Sequence, residues 1–241
     1  MTLFKRHGSG IRSYLGMLSH LLYPNLCMHC GRELIDKSPY LCYVCFSEIE
    51  QISWREDAVH HLIQQMIYRP SVHSTCVLFS FQTETPVQTL LHELKYKFNR
   101  SSGHYFGRLL GKKHADKHSK PKFTAILPVP IHHRKRFDRG YNQSEVIANG
   151  ISEIIAVPVV TDLLVKKRNT VSQTKLSKEA RKNNSKDVFV VSDKIKNYVS
   201  IALVDDVITT GSTLSAICQK LLEKNANIQI TIFTLAIASK E

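Results

Sequence analysis

Asp205 and Asp206 stand side by side after an apolar run, Ile201 to Val204, and are followed by Thr209-Thr210-Gly211-Ser212-Thr213. Four hydroxyl side chains and a glycine therefore occupy the turn between a predicted strand and a predicted helix. The first turn of a helix has N–H groups without partners and carries the positive end of the dipole, so a hydroxyl-rich turn there suits a phosphate. Two carboxylates cannot grip the same phosphate, because like charges repel. They are better suited to sugar hydroxyls or to steering a metal. Together the two features point to a phosphorylated sugar.

A second concentration of chemistry lies upstream. Pro128-Val129-Pro130 is followed, from His132 to Arg139, by six basic or imidazole side chains in eight positions, namely His132, His133, Arg134, Lys135, Arg136 and Arg139. This reads as a basic loop after a strand, an anion trap on the scale of a polyphosphate. In a parallel sheet both loops open at the carboxyl edge of the strands, where ligands bind. A third constellation is Cys27, Cys30, Cys42 and Cys45, two CxxC pairs separated by eleven residues. Two such knuckles facing each other make a tetrahedral thiolate site that suits a structural Zn²⁺, closed to catalysis. A redox or disulfide role would explain one pair and leave the other without a purpose.

These residues need elements to place them. Leu214, Ile217, Leu221 and Leu222 have the spacing of a core-facing helix after the hydroxyl turn. Tyr198 to Val204 and Ile228 to Ala238 read as buried strands, as do Thr75 to Phe81 and Phe123 to Leu127. Val157 to Val160 begins a further strand. Helices are expected over 54–68, from Pro86, in a short stretch around Phe106, Leu109 and Leu110, and through Val146, Ile147, Ile151 and Ile154. The polar stretch Lys112 to Lys122 is expected to be a connection. Lys167, Arg168, Gln173, Arg181 and Asn184 lie in a long polar segment that reads as a mobile loop able to close over a ligand. Cys76 and Cys218 sit in apolar contexts and read as inert core residues.

The chain has 241 residues, enough for one sizeable α/β domain and a small appendage. Its net charge of +13 favours polyanionic partners. No apolar run is long enough to cross a membrane, and residues 1–26 lack the pattern of a signal peptide.

The stretch 201–214 resembles the phosphoribosyl-diphosphate (PRPP) signature of type I phosphoribosyltransferases. With the Pro128–Gln143 block, the Lys167–Asn184 block and the cysteine pairs in front, the chain resembles the ComF/ComFC family of competence proteins over about residues 24–240. The block order is also similar to the phosphoribosyltransferase half of glutamine amidophosphoribosyltransferases. The resemblance implies a type I phosphoribosyltransferase-like α/β domain with a parallel sheet (51–241), a zinc ribbon (24–50) and an N-terminal lead (1–23). It implies that Thr209 to Thr213 hold the 5′-phosphate and that Asp205 and Asp206 face the ribose hydroxyls. The segment from Pro130 to Arg136 would approach the pyrophosphate with its Mg²⁺, and 168–184 would form a flexible hood. It further implies a cytoplasmic protein that handles incoming single-stranded DNA beside a helicase-like partner and a processing factor. A phosphoribosyltransferase of nucleotide salvage or biosynthesis is the alternative, although no acceptor or catalytic residue is recognisable. Some members carry extra CxxC pairs; here there is none between Cys45 and Cys76, so a single zinc site is expected.

Overall fold

The computed structural model describes residues 24–34, 39–51, 56–67, 72–97, 99–118, 121–167 and 188–238. In chain order these form α1 (Tyr43–Gln51), α2 (Glu56–Ile67), β1 (Val72–Phe81), α3 (Pro86–Tyr96), α4 (Arg100–Lys117), β2 (Ile126–Pro128), α5 (His133–Arg139), α6 (Gln143–Ile155), β3 (Leu164–Lys166), β4 (Phe189–Val191), β5 (Ser200–Ile208), α7 (Ser212–Lys224) and β6 (Gln229–Ala238).

Four strands make a parallel sheet in the order β1-β6-β5-β2. Alternate side chains of a strand face opposite sides, and both sides here are apolar. Ala202 and Val204 of β5, with Phe233 and Leu235 of β6, join Leu90, Leu94, Phe106, Leu110, Ile147 and Ile151 of α3, α4 and α6. Ile201 and Leu203, with Ile230 and Ile232, join Ile63, Ile67, Leu214, Ile217 and Leu221 of α2 and α7. The sheet is thus covered by helices on both faces, as a parallel sheet requires. β3 and β4 form a separate antiparallel pair. The expected parallel α/β domain is present, with the cysteine cluster in front of it.

Several boundaries differ from the sequence expectation. β5 does not stop at Val204 but runs through Asp205 and Asp206 to Ile208. Val157 to Val160 supplies one parallel bridge, Val159 to Ile126, rather than a strand; Pro158 has no N–H with which to extend a ladder. The basic stretch after Pro130 is a short helix, capped by the His132 ring at its start and by left-handed Gly140 (φ 65°) at its end. The expected short helix around Phe106 is eighteen residues long, so that Lys112 to Lys117 belongs to α4.

Glycines explain how α4 meets α6. A Cβ on Gly107 would stand 2.3 Å from the Ile147 carbonyl oxygen, and one on Gly150 would stand 2.2 Å from that of His104. Those backbones therefore touch where no larger residue fits. Gly150→Ala should push the two helices apart and cost about 1–3 kcal/mol, a fall of several degrees in the thermal midpoint. A thermal unfolding curve checks this, and an unchanged midpoint would contradict the close-packed reading.

Candidate functional site

The hydroxyl turn begins where β5 ends. Gly211 adopts a left-handed conformation (φ 71°) that other residues reach only with strain, and no side chain caps the helix that starts at Ser212. Thr209, Thr210, Gly211, Ser212 and Thr213 line a small polar hollow that also reaches Asp205. The Thr210 hydroxyl donates to Ser212 Oγ at 3.0 Å and accepts weakly from the Ser212 N–H at 3.4 Å. A hollow of hydroxyls at a helix start can hold a phosphate.

The acidic pair lies one step back along β5. Asp205 accepts from Ser144 Oγ at 3.2 Å and from the Asp206 N–H at 3.0 Å. Asp206 accepts from the Val207 N–H at 2.9 Å and pairs with Lys95 Nζ at 3.0 Å, both side chains being mostly buried. Burial, and then the Asp206 charge, push the Asp205 carboxyl well above the usual carboxylate range; the N–H of Asp206, Ser144 and Lys95 only partly offset them.

The basic segment comes to the same edge of the sheet. β2 pairs with β5 so that Pro128 lies beside Val204, and the Val129 N–H donates to the Val204 carbonyl at 2.8 Å. Asn142 donates to the Val129 carbonyl at 3.0 Å while capping α6 through the Ser144 N–H at 3.2 Å. A cavity of about 200 Å³ is lined by Pro130, His133 and Arg136 together with Asn142, Glu145 and Lys166. Arg136 pairs with Glu145 at 3.4 Å. Burial and the Lys135 ammonium pull the Lys166 pKa down, while Asp205 opposes them, so Lys166 sits between the basic and acidic groups.

Of the residues expected at the site, Asp205, Asp206 and Thr209 to Thr213 sit at the carboxyl edge, with Pro130 just past the end of β2 and Arg136 on the helix that follows. Lys167 is exposed, and its N–H donates to Val188 at 2.8 Å, so β3 and β4 hold the two ends of the polar segment together. Arg168, Gln173, Arg181 and Asn184 lie outside the described residues. Sequence reasoning missed Lys95, Ser144 and Lys166. Lys95 belongs to no motif in the sequence; only the fold brings it to Asp206.

Exposed aromatics flank the basic helix. Tyr96 is 61% and Phe137 89% exposed, and the Arg139 guanidinium lies over the Tyr96 ring at 5.3 Å. Tyr141, two residues past the helix, is buried and donates its hydroxyl to the Leu94 carbonyl. Phe98 lies outside the described residues.

The cysteine cluster is built from two different pieces. Cys27 and Cys30 flank a turn closed by an antiparallel bridge between Leu26 and Glu33. Cys42 and Cys45 do not form a matching knuckle but lie at the start of α1. The four sulfurs lie within 4.8 Å of one another and can hold a metal ion. Burial opposes ionisation of Cys27, but N–H groups of Cys30, Cys42 and His29 outweigh it and set this thiol at about 6. Burial and the neighbouring cysteines push the Cys45 thiol upward. Four crowded thiols cannot all ionise without a cation, so this donor set fits a thiophilic metal. His29 stays outside the cluster and bonds Thr89 Oγ1 at 2.9 Å.

The acidic pair makes a checkable pH signature. Asp205 holds its proton more tightly folded than unfolded, so stability is highest below the usual carboxylate range and falls as pH rises through the raised folded pKa. Asp205→Asn should remove this slope, raising the thermal midpoint by a few degrees at pH 8 and little at pH 5. Parallel melting curves at the two pH values test it; equal shifts would argue against a desolvated carboxylate.

No family model matches the chain. It is 30% identical to "Competence protein F" of Haemophilus influenzae over 91% of this chain and 93% of that protein. It is 27% identical to "DNA utilization protein YhgH" of Salmonella typhi over 86% of this chain and 94% of that one. With "Competence protein ComFC" of Bacillus subtilis the identity is 22% over 95% and 97% of the two chains. Among solved structures, the allosteric regulatory enzyme of purine biosynthesis aligns with 54% of this chain and 25% of its own, at 22% identity and a TM-score of 0.38. The near full-length match to the Haemophilus protein decides the family: the chain belongs to the ComF/ComFC family of competence and DNA-utilization proteins.

Proposed function

We propose that this protein binds PRPP with Mg²⁺ and assists the handling of incoming single-stranded DNA during natural transformation. The observation that carries the reading is the meeting, at one edge of the sheet, of the hydroxyl turn, the carboxylate pair and the basic segment. Thr209 to Thr213 would hold the 5′-phosphate through backbone N–H groups and hydroxyls. Asp205 and Asp206 would accept hydrogen bonds from the ribose hydroxyls, with Lys95 orienting Asp206 through their ion pair. Pro130, His132, His133, Arg134, Lys135, Arg136 and Arg139 would face the pyrophosphate, where Mg²⁺ would neutralise charge between phosphate oxygens. Lys167 and the segment to Asn184 would form the hood.

The DNA part of the proposal rests on the basic, aromatic-flanked helix α5 and the net charge of +13. Lysine and arginine would follow the DNA backbone, and Tyr96 and Phe137 offer exposed faces for bases. The relatives' names support DNA as the biological partner; a helicase-like protein and a processing factor would act beside it in the cytoplasm. Cys27, Cys30, Cys42 and Cys45 would hold one structural Zn²⁺.

Several measurements test this reading. Calorimetric titration with PRPP and Mg²⁺ should give one site per chain, lost in the Asp205→Asn/Asp206→Asn variant; a folded wild type that takes up no PRPP would refute the pocket. Pyrophosphate release in the presence of a base or amine would add phosphoribosyl transfer to the function. Affinity for single-stranded oligonucleotides should fall steeply with salt, and Phe137→Ala should weaken it roughly five- to tenfold or more, about 1–3 kcal/mol for a lost stack. Metal analysis should find one zinc per chain. Cys27→Ser should abolish that zinc and lower the thermal midpoint, whereas an unchanged midpoint would deny the cluster a structural role.

A further inference from the structure

The helix α5 is short, exposed and held from outside itself. None of its seven residues is buried. The His132 ring caps its start, accepting from the Arg134 N–H at 3.3 Å. Gly140 ends it, and the Arg100 guanidinium donates to the Gly140 carbonyl at 2.6 Å. Arg136 is tied to Glu145 of α6 at 3.4 Å. At 1.5 Å per residue the helix is about 10 Å long. Salt screens one charge from another over about 8 Å at physiological ionic strength. A phosphate bound at one end is therefore felt along most of the helix.

Its side chains serve two neighbourhoods. His133 and Arg136 line the cavity of about 200 Å³ that Asn142 and Lys166 also line. Burial, and then the Lys135 ammonium, lower the Lys166 pKa, so Lys135 is within electrostatic reach of the same cavity. Arg139 instead lies over the Tyr96 ring at 5.3 Å, and Phe137 is exposed to solvent. Tyr96 itself follows Lys95, whose ammonium pairs with Asp206 at 3.0 Å. The aromatic surface and the carboxyl edge thus meet in consecutive residues of α3.

The helix has little positive charge to divide between two polyanions. Four of its residues are arginine or lysine and one is Asp138, and Glu145 already answers Arg136. A pyrophosphate with one Mg²⁺ still carries net negative charge, and a DNA strand carries a charge at every phosphodiester. Such groups repel when they lie within a screening length of each other.

We propose that PRPP with Mg²⁺ and single-stranded DNA are antagonists on this protein, so that filling the carboxyl edge with PRPP releases the strand from α5. His133, Lys135 and Arg136 then answer the pyrophosphate, and the strand keeps only Arg139 and the aromatic faces. This rests on the binding of both ligands proposed above and adds the sign of the coupling between them. Coupling between two sites is reciprocal, so DNA must weaken PRPP by the same factor.

The test is fluorescence anisotropy of a labelled single-stranded oligonucleotide on the full chain, at constant ionic strength and free Mg²⁺, with and without saturating PRPP. The Kd for the oligonucleotide should rise roughly tenfold, and calorimetry with PRPP in the presence of the oligonucleotide should show the same factor. The salt dependence of the oligonucleotide affinity should also become shallower with PRPP bound, because fewer phosphates are neutralised. In the Asp205→Asn/Asp206→Asn variant PRPP should lose its effect on the oligonucleotide. An effect that persisted there would come from PRPP acting as a loose polyanion, and would overturn the proposal. Affinities indifferent to the other ligand, or raised by it, would overturn the antagonism and leave both binding sites standing. A weakened affinity with an unchanged salt slope would overturn it too, since α5 would then not be what the ligands share. A chain that takes up only one of the two ligands, or neither, would refute the reading on which the antagonism rests.

Discussion

Two adjacent carboxylates on a buried strand repel each other, and much of this molecule is arranged around that repulsion. The apolar run of β5 carries Asp205 and Asp206 to the edge of the sheet, where water is partly excluded. A lysine from α3 answers one carboxylate and a serine from the first turn of α6 answers the other. Lys166 of β3 adds positive charge near Asp205. Elements that belong to different stretches of the chain thus converge on two residues. A pair of carboxyl groups held at this cost is of use where a polar ligand replaces the missing water.

How far the sequence announced this depends on the kind of signal. Apolar runs and helical spacing located β1, β5, β6, α3, α6 and α7, because both faces of the sheet are buried and few polar residues interrupt them. The hydroxyl turn and the cysteine pairs were visible as residue types at fixed spacing. α5 escaped because a helix with no buried residue has no apolar period; its ends are set by a histidine ring and a glycine instead. The true length of α4 was hidden by its lysines and histidines, which occupy its last two turns. Gly103, Gly107 and Gly111, four residues apart, were the available clue to it, since a small-residue stripe marks where another backbone comes close. Lys95 could not have been assigned to the site from the chain alone, because its partner lies more than a hundred residues away.

The cysteine cluster is not an ornament hung on the sheet. Cys27, Leu41, Cys42, Cys45 and Ile49 are buried in the same apolar cluster as Leu90, Leu91 and Leu94 of α3. His29 also bonds to Thr89 of that helix. The C-terminal turn of α3 carries Lys95, so one helix touches the sulfur cluster at one end of its packing and the acidic pair at the other. Order in the thiolate cluster and order at the carboxyl edge therefore share a mechanical support.

That shared core has a consequence for anyone wishing to work with the sheet domain by itself. A chain cut to begin after Gln51 would take Cys27, Leu41, Cys42, Cys45 and Ile49 out of the apolar cluster that also holds Leu90, Leu91 and Leu94. Exposed leucines on one helix are an invitation to self-association. The shortened protein would be sticky and its α3 poorly anchored, so the cysteine-bearing segment has to travel with the sheet for either to be handled as a clean monodisperse sample.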